Sequence, residues 1–356
     1  MRNTGVGFVL AIEAGAKLID MEFIQFYPLG LLYPEAIRGA IVGALYYGHL
    51  LNVKGERFMK KYDPERLELS TRDVVSRAAY REIQEGRGTK RGGVYLDMRF
   101  NPPGFIKRQL PFIYNLCMNL GINPERELLE VAPTCHYFMG GIKVNEKWAT
   151  DVPGLFAAGE VVGGVHGANR LSQNSLTDII VSGARAGMYA AKYAKQKEKW
   201  LPIDEAQVKD EKERIYGMLG EKGETKPFEI KKKIKKVMWD YVGIIRNRRG
   251  LERALKEIKK IKEMLRDLSI PLTTMRYNID WIDAIEASNL LSVAEAIAAA
   301  CLTRTETRGA HFREDFPVRD DKKWLKHLVI ELKDGEIKLS SCPVDLSEVS
   351  PIGVDR

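Results

Sequence analysis

The sequence predicts a mixed fold that combines α/β and α+β parts. A short apolar run ends at Gly159 and passes through a glycine-rich loop into a helix with small residues, the pattern of an α/β unit. Residues 28 to about 136 alternate short apolar runs with amphipathic helical segments. Residues 207–302 keep helical periodicity almost throughout, and a tail of alternating apolar residues follows. We therefore expect two or three structural units, one of them a helical bundle.

The composition is typical of a soluble globular protein. Hydrophobic residues make up 45% of the 356 residues and charged residues 29%, enough to bury at least one large core. No apolar run reaches the roughly 20 residues that cross a membrane. The first segment is broken by glycines and Glu13, unlike a signal peptide. We therefore expect a cytoplasmic protein without a transmembrane segment.

The charged residues and the cysteines exclude several classes of function. The net charge is +8, and much of the excess lies between Lys226 and Arg266 without interleaved aromatic residues. We expect no nucleic-acid partner; a solvated helix surface is the favoured explanation, and attraction of an anionic substrate or acidic partner stays open. The four cysteines contain no CxxC motif, which argues against zinc, an iron–sulfur cluster or a disulfide framework in this chain. We predict no metal site, and we expect Cys135 to be a small buried residue.

The stretch from Cys135 to Gly187 is the most informative part of the chain. It contains a predicted strand at Leu155–Ala158, a loop with three glycines, and a helix predicted from about Leu176 with Asn174 or Ser175 as N-cap. Backbone N–H groups at such a helix start can face an electron-rich ligand. On spacing alone, this loop suits phosphates and nucleotides of many kinds. The small residues of the helix suggest close packing against another backbone.

Other segments predict the remaining elements. A helix is expected to start at Ser70 or Thr71, because the apolar residues that follow recur at helical spacing. Three basic or alanine-rich segments between about 207 and 302 predict a three-helix bundle. Further predicted elements are helices at Glu35–Tyr47 and Leu110–Leu120, a helix starting near Asn123, strands at Leu50–Asn52 and His327–Leu332, and a turn at Gly335.

Several motifs together carry a family resemblance. HYFMGGI, GLFAAGE, HGANRLSQNSL, MEFIQFYPLG, STRDVVSRA and TETRGAHFREDFP occur in one chain. With them the chain resembles the flavoprotein subunit family of fumarate reductase and succinate dehydrogenase, which includes L-aspartate oxidase. The resemblance covers most of the sequence. It implies a remnant of a FAD-binding domain at 1–27 and 137–196, an α+β capping domain at 28–136, a helical bundle domain at 197–304 and a C-terminal tail with a few strands at 305–356.

The resemblance implies FAD as the cofactor. In the family, a preceding stretch carries the dinucleotide fingerprint for the ADP half of FAD, and this sequence does not contain it. The pair Gly5 and Gly7 supplies two of the three glycines, with Val6 where the family has an aspartate. We therefore expect a separate chain to supply the N-terminal part of the FAD site. The resemblance also implies a partner, an electron-transfer iron–sulfur subunit, and a small carboxylic acid as substrate.

Three residues match the catalytic positions of the family. Arg72 matches the arginine that donates a proton to an alkene carbon while flavin N5 gives hydride to its neighbour. Asp73 lies beside it in the proton path, and Glu35 matches a glutamate that relays protons to the arginine. An arginine is an unusual acid, because its pKa lies above about 12, so a relay must re-protonate it. As alternatives, Arg72 is a helix-start or ion-pair residue and Glu35 a first-turn acid.

The resemblance also assigns binding residues. His136 and Arg170 match residues that hold a substrate carboxylate, which a guanidinium can bind bidentately. Tyr27 replaces a substrate-binding histidine. A core role for His136 and an ordinary turn role for Glu160 stay open. Positions that contact the ribityl chain and the pyrimidine edge of the flavin are matched by Glu160, Asn174, Ser175 and Leu176.

The departures from the family pattern leave the function open between hypotheses. Pro34 stands where the family has a threonine, and Ala40 where it has an acid. A dicarboxylate therefore loses part of the contacts that would bind its second carboxylate. We predict a fumarate reductase- or succinate dehydrogenase-like oxidoreductase that transfers hydride between flavin N5 and a carboxylic acid. The alternative is a truncated, non-catalytic member that acts as an assembly or interaction module. L-aspartate oxidase activity is a weaker third hypothesis, because its substrate contacts include the altered positions.

Overall fold

The computed structural model describes residues 4–199 and 202–347. The chain divides into two compact units. The larger unit comprises Met1–Phe23 and Phe138–Arg356, and the smaller unit comprises Ile24–Tyr137. Each unit has one four-stranded sheet and several helices, which confirms the mixed fold class. The four-part domain division stays a prediction, and the predicted tail beyond residue 347 lies outside the described residues.

The smaller unit is built on one four-stranded sheet. The strands are β2 (Ile24–Leu31), β3 (His49–Leu51), β4 (Val94–Asp97) and β5 (Leu129–Phe138), and the helices are α2 (Met59–Tyr62), α3 (Arg72–Glu82), α4 (Phe105–Gln109) and α5 (Pro111–Asn119). The strand order is β2-β5-β4-β3. Every residue of β2 is buried, including the polar Gln25. The predicted strand near residue 50 and the predicted helix near 110–120 are therefore present.

Helix α3 packs on β2 and fixes the position of its first residue, Arg72. The helix starts after Thr71, as the sequence predicts. Val75, Ala78 and Ala79 are buried at helical spacing, and the Ser76 hydroxyl donates to the carbonyl oxygen of Phe26 at 3.4 Å. Because one face is held against β2, the N-terminal end of α3 is fixed relative to that strand.

A buried carboxylate holds the other end of α3. Glu82 accepts hydrogen bonds from Asn52 Nδ2 at 3.0 Å, from the Tyr62 hydroxyl at 2.8 Å, and from Nε and Nη2 of Arg87 at 2.6 Å each. Burial alone raises the pKa of Glu82, but hydrogen bonds from Arg87, Asn52 and Tyr62 outweigh it and lower the pKa to about 2. Such a group stabilises the folded state above its ordinary pKa of 4.5, and this contribution is lost as the pH falls to about 2.

The Glu82→Gln variant is expected to destabilise the smaller unit by about 3 kcal/mol at pH 7, because the Arg87 guanidinium loses its buried ionic partner. The difference from wild type should shrink as the pH falls below about 4.5. Hydrogen exchange of amides within 24–137 measures it. Glu85→Gln is the matched control, since Glu85 is an exposed partner of the same arginine, and its stability should stay close to that of wild type. A difference independent of pH would contradict this assignment.

The larger unit contains the predicted three-helix bundle. Its helices α8 (Pro227–Val242), α9 (Arg248–Met264) and α10 (Ile279–Thr303) pack against one another in pairs. By length and a mean hydropathy of 1.4, α10 could cross a membrane, but 56% of that apolar window is buried inside the protein. A core helix is therefore the simpler explanation. The other helices of this unit are α1 (Val6–Glu13), α6 (Asn174–Gln196), α7 (Glu205–Tyr216) and α11 (Asp321–Trp324).

The sheet of the larger unit joins distant parts of the chain. Its strands are β1 (Leu18–Ile19), β6 (Gly141–Ile142), β7 (Lys326–Lys333) and β8 (Glu336–Pro343), with the predicted turn at Gly335 between the last two. They are arranged in the order β6-β1-β7-β8. The HYFMGGI motif has two glycines because backbones cross there. A Cβ on Gly140 would lie 2.1 Å from the carbonyl oxygen of Asp20, and one on Gly141 2.3 Å from that of Val161.

A buried ionic network lies in the core of the larger unit. Arg304 donates through Nε to Glu22 Oε1 at 2.5 Å and through Nη1 to Glu306 Oε1 at 2.9 Å. It also donates to the carbonyl oxygens of Trp324 and Lys326. Burial raises the pKa of Glu22 to about 7. This network connects β1, the end of α10 and the start of β7.

A second buried arginine extends the same network. Arg246 donates through Nη1 to the carbonyl oxygen of Glu22 at 2.7 Å, and the same nitrogen lies 2.6 Å from Nδ1 of His311. Burial and the neighbouring arginines hold the pKa of His311 well below 6.5. The RGAHFREDFP motif therefore supplies buried polar contacts to the bundle.

Three predicted elements are wrong. Leu155–Ala158 is not a strand and makes only an isolated bridge between Ala149 and Phe156, since no described strand lies beside it. Residues 35–47 contain two 3₁₀ turns, Glu35–Ile37 and Leu45–Tyr47, because Gly39 takes a φ of 87° and ends the helical path. Asn123 begins a turn and no helix: its side chain accepts from the N–H of Glu125.

Candidate active site

The smaller unit holds Arg72 between an amide and an aromatic ring. Gln25 and Tyr27 are two residues apart on β2, so their side chains leave the same face of the sheet. Nη1 of Arg72 donates to Oε1 of Gln25 at 3.1 Å. The guanidinium carbon of Arg72 lies 4.8 Å from the centre of the Tyr27 ring, a cation–π distance. The first residue of α3 thus has a defined place beside β2.

His136 completes this cluster from β5. Its ring centre lies 5.4 Å from that of Tyr27, with 57° between the ring planes. Tyr27 is buried, and this burial raises the pKa of its phenol, which the Arg72 guanidinium only partly offsets. At neutral pH the phenol is therefore uncharged. The structure brings together three predicted site residues, Tyr27, Arg72 and His136, and adds Gln25, which the sequence analysis missed.

Asp73 and Glu35 have other partners in the smaller unit. Oδ2 of Asp73 accepts from Nη1 of Arg77 at 2.8 Å, one turn further along α3. Glu35 lies on an exposed 3₁₀ turn, where Oε2 accepts from Nη1 of Arg38 at 3.2 Å. The Glu35–Arg38 pair is in contact with water, since the Glu35 side chain is 80% exposed. The roles of Glu35 and Asp73 as proton relays stay predictions.

In the larger unit, helix α6 starts two residues earlier than predicted. Gln173 has a φ of 66° and precedes the first helical residue, Asn174. The prediction of Asn174 or Ser175 as N-cap is wrong, because the left-handed turn at Gln173 places both residues inside the first turn. The Gln173 side chain itself makes no capping hydrogen bond. The N–H groups of Asn174 and Leu176 donate to the carbonyl oxygens of Leu171 at 3.4 Å and of Gln173 at 3.0 Å.

Arg170 contacts the start of α6. It is buried, and its Nη1 donates to the carbonyl oxygen of Leu171 at 3.3 Å and to Oγ of Ser175 at 3.4 Å. Nε2 of His166 lies 3.5 Å from Oδ2 of the buried Asp178, and burial lowers the pKa of His166. The sequence analysis did not single out His166 and Asp178 as a pair, although both lie within the HGANRLSQNSLTD segment.

Glu160 joins two motifs of the larger unit. Its Oε1 accepts from the N–H of Phe138 at 3.1 Å, which connects the GLFAAGE segment to the end of HYF. The Glu160 side chain is exposed, so it remains accessible to a ligand. Cys135 is exposed on β5, so the expectation that it is buried is wrong. Within the described residues, no group of three His, Cys, Asp or Glu side chains could hold a metal ion.

Helix α6 leaves most of its apolar surface exposed. Of its 23 residues only Asp178, Ser182 and Ala186 are buried. A Cβ on Gly183 or Gly187 would meet no atom within 4 Å, so the predicted close packing is not made by any described residue. The exposed apolar surface, here called the α6 face, consists of Leu176, Ile179, Ile180, Val181 and Met188. Such a face is typical of an interaction surface.

The residues at the start of α6 fit one end of FAD. The positive end of the helix, the Ser175 hydroxyl and the Arg170 guanidinium suit the electron-rich carbonyl edge of a flavin ring. Exposed Leu176 offers an apolar surface beside them. The sequence does not contain the complete glycine fingerprint that would hold the pyrophosphate. The described residues therefore fit the flavin end of FAD but not its ADP end.

Most of the chain matches known protein families and proteins in sequence comparisons. A family model described as FAD binding domain matches residues 1–176, and one described as fumarate reductase flavoprotein C-term matches residues 231–354. A fumarate reductase (CoM/CoB) chain of Methanothermobacter marburgensis is 44% identical over 336 residues, which cover 94% of this chain and 60% of that protein. The fumarate reductase flavoprotein subunit of Mycobacterium tuberculosis is 37% identical in an alignment of 375 positions, gaps included, which covers 98% of this chain and 63% of that protein.

Solved structures agree with the sequence matches. The FrdA chain of E. coli quinol fumarate reductase superposes with a TM-score of 0.89 at 32% identity, over 98% of this chain and 63% of that one. Sdh1 of Mycobacterium smegmatis gives a TM-score of 0.85 at 38% identity, over 96% of this chain and 58% of that one. The chain thus spans about three fifths of the length of the relatives that it matches.

Proposed function

This chain belongs to the flavoprotein subunit family of fumarate reductase and succinate dehydrogenase, and we propose that it forms the substrate side of a flavin-dependent oxidoreductase. Its substrate is a small carboxylic acid whose carbon–carbon bond is reduced or oxidised. When bound, FAD supplies or accepts the hydride through flavin N5. The observation that carries the proposal is the placement of Arg72 by Gln25 and Tyr27, next to His136.

Each unit supplies one donor that suits a carboxylate, His136 in the smaller unit and Arg170 in the larger unit. Arg170 offers a planar guanidinium that suits a carboxylate bidentately, and His136 adds a directed ring N–H. The uncharged Tyr27 phenol occupies the position of the family's histidine, so the site gives a second carboxylate less positive charge than its relatives do. We therefore propose that the substrate differs from fumarate at its second end.

Arg72 is the proton donor in this proposal. In the reducing direction it gives a proton to the alkene carbon adjacent to the one that receives hydride. A proton from water then restores the guanidinium through Glu35, whose exposed pair with Arg38 is a suitable entry point. Asp73, held by Arg77, orients the start of α3. The N–H groups at the start of α6, with Ser175, Leu176 and Glu160, hold the flavin end of FAD.

The α6 face is the surface that receives the rest of the FAD-binding domain. About two fifths of the length of the Methanothermobacter relative lies outside the match, and Leu155–Ala158 lacks a described neighbouring strand. A sheet packed on the exposed apolar residues of α6 would bury these residues and could give Leu155–Ala158 a neighbouring strand. We further propose that an iron–sulfur subunit exchanges electrons with the flavin, and that the protein is cytoplasmic.

The test is flavin binding by the assembled site. The chain is co-expressed with a polypeptide that carries the N-terminal two fifths of the Methanothermobacter relative, and the purified complex is examined between about 370 and 450 nm. We expect a yellow complex that Ile180→Asp abolishes, since a charge on the α6 face prevents burial. Lys195→Asp, at an exposed polar position near the end of the same helix, is the control and should leave the spectrum unchanged. A complex without flavin absorbance would refute the proposal.

The second candidate is the non-catalytic interaction module. It is favoured by the exposed α6 face together with the altered positions Tyr27, Pro34 and Ala40. This candidate requires that the complex assembles through α6 but stays colourless. The same experiment therefore separates the two functions.

A further inference from the structure

Tyr27 has a geometry that contact with a substrate does not explain. We propose that Tyr27 is a positioning residue whose ring face fixes the direction of the Arg72 guanidinium. This inference rests on the proposed role of Arg72 as proton donor. It assigns a reason for an aromatic residue at a position where the resemblance leads one to expect histidine.

The ring of Tyr27 cannot move easily. It belongs to β2, whose eight residues are all buried, and its own side chain is buried between α3 and the sheet. Arg72 is different, because its long side chain has several rotatable bonds and is only half-buried. A guanidinium 4.8 Å from the ring centre gains roughly 0.5–2 kcal/mol from the cation–π attraction. The rigid Tyr27 ring therefore restricts the flexible Arg72 side chain to one orientation.

Two contacts from β2 act on the Arg72 guanidinium. The ring of Tyr27 attracts the guanidinium group, and the amide oxygen of Gln25 accepts one N–H from Nη1 at 3.1 Å. Of the five N–H donors of Arg72, this bond uses one on a fixed side. Because both contacts come from β2, this strand sets the direction of the guanidinium. A displacement of about 1 Å at such a donor can cost on the order of 100-fold in rate.

The aromatic ring also keeps a second cation away from Arg72. A histidine at position 27 would place a protonatable ring close to the guanidinium, and its charged form would repel Arg72. The buried phenol stays uncharged at neutral pH, because its own pKa is raised. Tyr27 thus supplies the attraction without introducing a group that titrates near pH 6–7.

The experiment compares Tyr27→Phe, which keeps the ring face, with Tyr27→Leu, which removes it. The first readout is the Nε–Hε resonance of Arg72 in arginine-labelled protein, assigned by its disappearance in Arg72→Lys. We expect this resonance to move in Tyr27→Leu and to stay in Tyr27→Phe, because only the aromatic ring shifts it. This measurement needs no cofactor. A resonance that stays in place in Tyr27→Leu would overturn the inference.

The second readout is the turnover of the assembled enzyme. We expect Tyr27→Leu to lower kcat by roughly 10–100-fold, while Tyr27→Phe keeps kcat within about threefold even if its KM rises. An equal loss of kcat in both variants would assign the effect to the hydroxyl and overturn the positioning role. If Arg72→Lys keeps full activity, the proposed function fails, whereas the resonance test of Tyr27 still stands. Unchanged unfolding midpoints of both variants confirm that each is folded.

Discussion

An Arg72→Gln variant is expected to lose at least about 1,000-fold in kcat in the assembled enzyme. General acids contribute roughly 10²–10⁴-fold to a rate, and a glutamine amide cannot deliver the proton that the alkene carbon requires. The KM for the carboxylic acid should change much less, because in the proposal residues other than Arg72 bind the carboxylate. Steady-state kinetics with a reduced electron donor separate the two constants.

Arg81→Gln is the control for this experiment. Arg81 is in the last turn of the same helix α3, so its loss removes a similar charge without touching the proposed donor. We expect kcat within about threefold of wild type for Arg81→Gln. An Arg72→Gln enzyme that turns over as fast as this control would show that another group delivers the proton.

Replacing Arg304 with methionine is expected to destabilise the larger unit by about 3–5 kcal/mol. Arg304 is one of the largest fully buried side chains of the protein, and methionine would leave the carboxylates of Glu22 and Glu306 without this donor. The carbonyl oxygens of Trp324 and Lys326 also lose their hydrogen bonds. Since total stabilities are about 5–15 kcal/mol, such a loss brings the unit close to unfolding at 37 °C.

Urea unfolding followed by tryptophan fluorescence measures this loss, because the Trp324 ring centre lies 5.2 Å from the Arg304 guanidinium. Arg319→Met is the matched control. Arg319 is 51% exposed and pairs with Asp321 on the surface, so its loss should cost less than about 1 kcal/mol. Equal destabilisation by both variants would contradict a special role of the buried network.

Local patterns predicted the parts of the fold that are stabilised locally. The start of α3, the three bundle helices and the turn at Gly335 follow from periodicity and turn residues, and all three are present. The strand predicted at Leu155–Ala158 is absent, because a strand needs a neighbouring strand, which a local apolar run cannot supply. Asn174 and Ser175 have the residue types of N-caps, but the turn at Gln173 moved them into the helix.

The candidate site depends on contacts between distant segments. Tyr27, Arg72 and His136 come from β2, α3 and β5, and periodicity alone gives no reason to place them together. Only the motif resemblance selected them. Gln25 was missed although it is a polar residue in an otherwise apolar strand, which is a usable signal. The pairing of Arg246 with His311 joins residues 65 positions apart, so no local pattern indicates it.

The glycines of this chain fall into two groups that would respond differently to substitution. Gly140 and Gly141 are confined by carbonyl oxygens 2.1 and 2.3 Å from the point that a methyl group would occupy, so even alanine would force the crossing backbones apart. Gly183 and Gly187 have open space around them. In a saturation library of the isolated chain, the second pair should therefore accept larger residues. Under the proposal that a partner covers α6, the same two positions should accept fewer residues in the assembled protein, so the substitutions tolerated there in a living cell would report assembly.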